Sequence, residues 1–315
     1  MAERAILSVL PGSAFTLGGM AARPERVEHF ECFGATVTVR ASGDREVVRL
    51  GLRRAREIAE DVHRRLTRFD PASDLCRLNA DPRPLVPAAA LMRRFAEAVR
   101  WAGAASGGLV DATCLPAVEA AGYREHWTPA GETGGWTVGD AGVLGRSWAS
   151  VSVEGEAVRR PPGTRLDSGG LGKGLAADRM AVALAVCATW AIDCGGDLRL
   201  GGLDAHERAI DIAHPDGGAP IHRLMLARGA VATSGVTRRA WTGGHHLIDP
   251  RTGRPAETGI LQATAMAPSG LAAEVRAKTA LLAGADAAAA ALPDGGVYVT
   301  ADGRVHVVEG ARVSA

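Results

Sequence analysis

The sequence predicts an α+β fold. Helical periodicities and hairpin signals are mixed along the 315 residues, without the strict strand–helix alternation that builds a parallel sheet. Short extended runs meet at two tight turns, Glu154-Gly155 and Asp302-Gly303, the second of which is a strong hairpin signal. Aromatic residues make up only 4% of the chain against 47% hydrophobic, so the core must be built from Ala, Val, Leu and Ile.

The opening residues 1–26 carry one short apolar stretch broken by Pro11, with no strongly basic start followed by an apolar core. They read as a loose N-terminal arm and not as a signal peptide, which leaves 27–315 as the folded unit. Ala35 to Arg40 alternates as a half-buried strand with Val37 and Val39 on one face. Val48, Leu52, Ala55, Ala59, Val62 and Leu66 recur every three or four residues, the period of a helix that Pro71 closes. A second helix is predicted over Ala88 to Ala105, stopped by Ser106-Gly107-Gly108. Thr128 to Gly145 is Gly-rich and aperiodic, a surface loop. Ser147 to Val153 and Ala157 to Arg160 read as strands, and Leu166-Asp167 as the end of another. Further helices are expected over Leu175 to Ala188 and Leu271 to Leu282, with an Ala-rich one near Ala287. Ile192-Asp193, Leu224 to Ala232 and the Tyr298 to Val308 hairpin supply the remaining strands.

A net charge of +1, from 36 basic and 35 acidic residues interspersed along the chain, argues against a strong nucleic-acid or membrane-surface binder. No apolar run reaches the length of a membrane span. Five cysteines without C-x-x-C spacing, Cys32, Cys76, Cys114, Cys187 and Cys194, fit neither a zinc site nor a disulfide framework and point to a reducing compartment, the cytoplasm.

The chemistry concentrates in Asp167-Ser168-Gly169-Gly170-Leu171-Gly172-Lys173-Gly174, just before a helix that carries Asp178. Glycines let backbone N–H groups approach a ligand, a helix N-terminus attracts negative charge, and Lys173 adds a mobile cation; together these suit a phosphate. Gly174 stands where a P-loop needs Ser or Thr, and the run does not fit G-x-G-x-x-G. A plain tight turn into a helix reads equally well from this segment alone. The lysine count adds to it: Lys173 and Lys278 are the only two, and the other 34 of 36 basic residues are Arg. Lys is a compact point charge and Arg a broad planar fork, so these two positions are where a small charge is needed. Gly244-His245-His246-Leu247-Ile248-Asp249-Pro250-Arg251-Thr252-Gly253 ends in a turn and presents two adjacent histidines. On a strand they point to opposite faces, so at most one faces a given pocket; two partly exposed strand histidines are the plainer reading.

These segments are similar to motifs of the ApbE family of flavin transferases, which move FMN from FAD onto a Ser or Thr of a target protein. The resemblance spans nearly the whole chain after the arm. It runs in order through Phe33-Gly34-Ala35-Thr36, Arg68-Phe69-Asp70 with Ser73 through Asn79, Ser106 through Thr113, Asp167 through Asp178, Cys194-Gly195-Gly196-Asp197, Ala232-Thr233-Ser234-Gly235 and His246 through Gly253. It implies mixed and antiparallel sheets with packed helices in one compact unit of two subdomains. It also implies FAD as donor, an acceptor protein bearing Ser or Thr, and AMP as the product released. FAD is expected near Phe33, Phe69, Leu109, Val110, Asp111, Asp167, Gly169, Gly170, Lys173 and Leu247. His246 and Asp249 are expected close to the pyrophosphate, with His246 as base or orienting group.

The family also implies magnesium, held by a carbonyl of the Gly-rich segment, here Gly170, and by an Asp and a Thr. At the last two positions this chain has Glu274 and Lys278. An ammonium cannot ligate a hard cation, which needs oxygen donors. Either Glu274 and Lys278 are an ordinary i,i+4 pair on a solvated helix face, or Lys278 takes the metal's place at the reaction centre. Val236-Thr237 departs from the family's usual acidic or amide residue and Tyr, altering part of the substrate wall. The alternative to a transferase is an FAD-binding protein that stores, senses or slowly hydrolyses the cofactor.

Overall fold

Eight strands that follow one another along the chain also lie side by side. In the computed structural model, which describes residues 15–18, 24–125, 147–241 and 244–310, they are β1 (Arg26–Cys32), β2 (Ala35–Ser42), β3 (Thr189–Cys194), β4 (Asp197–Gly201), β5 (Gly229–Gly235), β6 (Ile260–Ala267), β7 (Gly296–Thr300) and β8 (Val305–Val308). Each pairs antiparallel with the next. Everything that builds the site is therefore an insertion between neighbours of one meander. Helices α1 (Arg45–Leu66), α2 (Asp74–Ala80), α3 (Ala90–Ala105), α4 (Leu115–Ala120) and α5 (Gly172–Leu184) lie between β2 and β3, and α6 (Gly270–Ala283) lies between β6 and β7. The α+β class and the antiparallel sheets read from sequence are what the chain forms.

Strand periodicity sets which side each layer takes. Trp190, Ile192 and Cys194 on β3 pack with α1 and α5, as do Val37 and Val39 of β2. Ala191, Leu198, Leu200 and Val231 face the other way, onto Ile210, Ile212, Leu224 and Leu226. Those four belong to a three-stranded sheet of Phe15–Gly18, Arg208–Ile212 and His222–Leu226. The stretch read as an N-terminal arm thus supplies an edge strand of that sheet, and its end, from Arg26, begins β1.

Helix α1 buries Val48, Leu52, Ala55, Ala59, Val62 and Leu66, the stripe the period predicts. Its first turn is closed by Asp44, whose carboxylate accepts from the amides of Glu46 at 2.9 Å and Val47 at 3.1 Å. Helix α3 ends as predicted: Gly107 and Gly108 take φ of 62° and 89°, and the Gly108 amide donates back to the Gly103 carbonyl at 2.7 Å.

Several expectations need correction. Ser147–Ser150 is a 3-10 turn rather than strand, leaving only Ser152–Glu154 extended. The cause is Trp148, whose ring lies where a Gly103 Cβ would sit, 2.2 Å away, so this segment turns to dock on α3. Leu166-Asp167 is not a strand. The Asn79 side chain replaces a ladder partner there, donating to the Leu166 carbonyl at 2.9 Å and accepting from its amide at 2.8 Å. Leu224 to Ala232 is split by a turn into two strands, and the run near Ala287 is a 3-10 turn, Ala288–Ala291. The helix predicted over Leu175 to Ala188 begins earlier and stops at Leu184. The loop expected over Thr128 to Gly145 lies outside the described residues.

Helices α5 and α6 meet at glycine. A Cβ on Gly174 would stand 2.6 Å from the Gly270 carbonyl oxygen and 2.8 Å from the Leu271 Cα. Side chains lock the crossing in both directions. Asp178 of α5 accepts from the amides of Gly270 at 2.7 Å and Leu271 at 2.9 Å at the start of α6, and Glu274 of α6 accepts from the Gly174 amide at 2.9 Å. Gly174→Ala is expected to destabilise the protein by about 1–3 kcal/mol, the usual range for overpacking against backbone that cannot yield. A lower urea midpoint at unchanged slope checks this.

Candidate active site

One cavity collects the chemistry. Its walls are the end of α1, the 109–118 segment, the loop entering α5, residues 246–248 and α6. All the positions proposed from sequence line it except Asp249 and Glu274, which lie buried.

The loop entering α5 is pinned from two sides. Asn79 holds Leu166, and the Ser168 hydroxyl donates to the Leu66 carbonyl, the last residue of α1, at 2.6 Å. The N-cap residue of α5 is Leu171, which offers no side-chain acceptor. The start of α5 therefore presents Gly169 and Gly170 to the cavity with the positive end of the helix dipole behind them. Lys173 reaches in from the first turn, its Nζ 2.7 Å from Asp197 Oδ2 and 3.4 Å from the Gly195 carbonyl. Asp197 is only 3% exposed. The carboxylates of Asp197 and Glu274 raise the Lys173 ammonium above its ordinary value against the opposing effect of burial, so it stays charged.

The two histidines do separate, although only His245 is on a strand, Gly244–His245, and His246 lies in the bend that follows it. His245 has Nε2 3.0 Å from the Ala256 carbonyl and Nδ1 accepting from the Leu247 amide at 3.2 Å, so both ring nitrogens are committed to the backbone. His246 lines the cavity, its Nδ1 3.4 Å from the Arg239 carbonyl. A carbonyl only accepts, so the proton belongs on Nδ1 and the Nε2 lone pair is the basic one. Burial, with the positive charges of Arg239 and Lys278, holds the His246 imidazole well below its ordinary value. It is neutral at pH 7.

The apolar part is furnished by Phe33, Phe69, Leu109, Val110 and Leu247. Phe33 sits at φ 58° in the β1–β2 turn, next to Gly34 at φ 67°. A left-handed conformation costs a non-glycine residue roughly 1–2 kcal/mol, and here it delivers the ring to the cavity edge, against His63 at 5.5 Å. Asp111 accepts from Thr113 through its amide at 2.8 Å and its hydroxyl at 2.6 Å, while burial pushes its carboxyl up. Asp167 accepts from the Gly169 amide at 3.2 Å and faces Arg68 at 3.6 Å. Asp249 does not enter the wall. Its carboxylate accepts from Arg251 through the amide, Nε and a terminal nitrogen at 2.7–3.0 Å, which shapes the turn beneath His246–Ile248.

Residues 33–299 match the ApbE family. The chain belongs to the ApbE family. Solved structures share the fold: the ApbE protein of Thermotoga maritima is 20% identical with TM-score 0.79, covering 91% of this chain and 97% of that one. The flavin transferase ApbE of Vibrio cholerae is 18% identical with TM-score 0.71, over 91% and 97%. The flavinyl transferase ApbE of Pseudomonas stutzeri, in its apo form, is 21% identical with TM-score 0.70, over 92% and 96%. No curated protein sequence matches.

The donor set of this ApbE chain does not fit magnesium. Glu274 Oε1 accepts from Lys278 Nζ at 3.0 Å and Oε2 from the Gly174 amide, so both oxygens are engaged. Lys278 runs past Gly170, its Cε 3.5 Å from where a Gly170 Cβ would be. Among the described residues there is no group of three or more His, Cys, Asp and Glu that could hold a metal ion. Magnesium can complete its octahedral shell with water and substrate phosphate, so the obstacle is the Lys278 ammonium, which donates no lone pair and brings a positive charge to the place beside Gly170 and Glu274. Nor is the pair on a solvated face: Glu274 is fully buried and the Lys278 side chain is 12% exposed.

Sequence reasoning missed four residues of the site, Arg68, Tyr123, Arg239 and Asp197. The Arg68 guanidinium lies 4.2 Å from the Phe69 ring centre and 4.6 Å from that of Tyr123, and it donates to the Tyr123 carbonyl at 2.6 Å. It thereby orders two rings of the wall and faces Asp167. Arg239 lines the cavity beside His246, and Asp197 anchors Lys173. An Arg–aromatic run such as Arg68-Phe69 was the one available signal; the others depend on contacts between distant segments.

Proposed function

We propose that this chain is an FAD:protein FMN transferase. The observation that carries the reading is that the only two lysines of an Arg-rich chain, Lys173 and Lys278, line one cavity together with the N-terminal glycines of α5 and His246. That is a site for a compact, doubly anionic group next to an apolar wall, as a flavin dinucleotide presents. The ApbE membership and the flavin transferases among the structural relatives agree with it.

In the reaction an acceptor Ser or Thr oxygen attacks the FMN-side phosphorus of FAD. The new O–P bond forms as the bond from that phosphorus to the bridging oxygen breaks, and AMP leaves with the bridging oxygen. The hydroxyl proton passes to His246 Nε2 and on to solvent. Phosphoryl transfer asks for positioning and charge neutralisation rather than covalent help. Lys173, which has three donors and two anchoring acceptors, directs its remaining N–H at the phosphate, and the amides at the start of α5 receive the developing charge. Phe33, Phe69, Leu109, Val110 and Leu247 contact the rings of FAD, and Asp249 acts at a distance by fixing the turn that carries His246. The unpatterned cysteines favour a cytoplasmic setting. Among the described residues, no helix is long and apolar enough to cross a membrane.

Mass spectrometry of an acceptor protein incubated with the enzyme and FAD tests the reading. FMN mass added to a Ser or Thr, with stoichiometric AMP, is expected. FAD bound but neither transferred nor cleaved marks a flavin-binding protein instead.

A further inference from the structure

At the cavity wall and behind it four charges form one cluster. Lys173 of α5 pairs with Asp197 of β4, and Lys278 of α6 with Glu274 of the same helix. Glu274 also feels Lys173 and Asp197. Lys173 and Lys278 line the cavity, and neither Asp197 nor Glu274 does; both are buried.

A Glu–Lys pair on a solvated helix contributes little and asks for no explanation. A buried one is different, because taking both charges out of water is offset only when the geometry is good and the remaining polar atoms are satisfied. Glu274 meets that condition by bonding Lys278 through one oxygen and the Gly174 amide through the other. The carboxylate thus holds an ammonium at the cavity edge, and that positive charge repels a metal ion from the same carboxylate. A lysine ammonium, small and tetrahedral in its donors, is the side chain nearest in size and charge to a bare cation.

We propose that Lys278, held by Glu274, is a tethered cation that takes the place of a divalent ion at the pyrophosphate. Binding and turnover of FAD then need no metal. This rests on the FAD reading of the site. A single charge polarises phosphate less than a divalent ion, so transfer is slow but indifferent to chelators. The cation is covalently part of the chain and its supply does not vary with ionic conditions.

The test uses the intact protein. Mn²⁺ alone and Mn²⁺ with FAD are titrated into it and followed by EPR, against FAD without protein, and FAD affinity and turnover are measured in EDTA and in magnesium. No uptake of Mn²⁺ beyond the FAD control, and FAD affinity and turnover equal in the two media, are expected. Lys278→Met is expected to weaken FAD by about 10- to 100-fold, the effect of losing one charge-assisted hydrogen bond, and to leave riboflavin binding unchanged. Glu274→Asp with Lys278→Thr is expected to take up Mn²⁺ and to become EDTA-sensitive. One equivalent of Mn²⁺ bound by the unaltered protein, FAD binding that requires magnesium, or a Lys278→Met variant with normal FAD affinity would each overturn the proposal. If the double variant does not fold, by circular dichroism, the measurements on the unaltered protein decide. Failure to bind FAD in either medium overturns the flavin reading itself, a result distinct from binding that depends on metal.

Discussion

His246→Asn is expected to lower FMN transfer by about 10²–10⁴-fold, the usual contribution of a positioned general base, while leaving FAD affinity within a few-fold of normal. Asn keeps a side-chain N–H for the Arg239 carbonyl, which Nδ1 of the imidazole now faces at 3.4 Å, but has no basic nitrogen. The pH dependence follows from the direction of the shift. Burial and the neighbouring positive charges lower the His246 value, so the base form persists to lower pH than for an ordinary imidazole. The acid limb of kcat/KM is therefore expected below about pH 6.5, the unperturbed histidine value, with a flat profile through neutrality. His245→Asn is the control. Its ring nitrogens serve Ala256 and Leu247, so it should lose stability and keep most of the turnover per folded molecule. Normal turnover in His246→Asn together with loss in His245→Asn would assign the base to the wrong imidazole.

How far the sequence could be read varied with the range of the contact involved. Local signals carried well: the spacing of Val48 to Leu66 matches the buried stripe of α1, and Ser106-Gly107-Gly108 stops α3. The lysine count needed no spatial knowledge, yet it picked out two side chains that share a cavity wall. Alternation along a strand says that only one of His245 and His246 faces a pocket but not which; in the structure His245 ends the strand paired with Ala240–Trp241, and the bend after it turns His246 to the cavity. Asp197 has no signal of its own in the sequence, since its partnership with Lys173 exists only once α5 packs against β4. Phe33 is placed near FAD by the family resemblance and not by its local pattern. Nothing in the local pattern of Phe33-Gly34 announces a left-handed aromatic, which the β1–β2 register imposes. The solvated reading of Glu274 and Lys278 came from spacing alone. A clue to its failure was in the same segment: Gly270 to Ala283 is small or apolar around most of its circumference, the mark of a helix enclosed on several sides.

Lys173→Ala is expected to act on stability and on ligand affinity at once, and the two effects can be separated. Removing the ammonium leaves Asp197, 3% exposed, without its partner at 2.7 Å. Breaking a buried pair from one side commonly destabilises by about 3–5 kcal/mol, because the remaining charge stays in a poorly solvated place. Since burial works against the Lys173 charge while Asp197 and Glu274 raise its value, the stability the pair contributes is fully present below the ordinary lysine value. It is lost only as pH rises through the raised one, so the deficit of the variant should be constant across neutral pH. The ligand effect is a second loss, about 1.5–3 kcal/mol in FAD binding for one charge-assisted contact to phosphate, with riboflavin nearly unaffected because it has no phosphate. Adding Asp197→Asn to Lys173→Ala removes the orphaned charge. Denaturant unfolding should then recover much of the stability, whereas FAD affinity, measured by flavin fluorescence, should stay low. If FAD affinity returns with stability, or if riboflavin and FAD lose equally, Lys173 is a structural partner of Asp197 and the phosphate is held by the α5 amides without it.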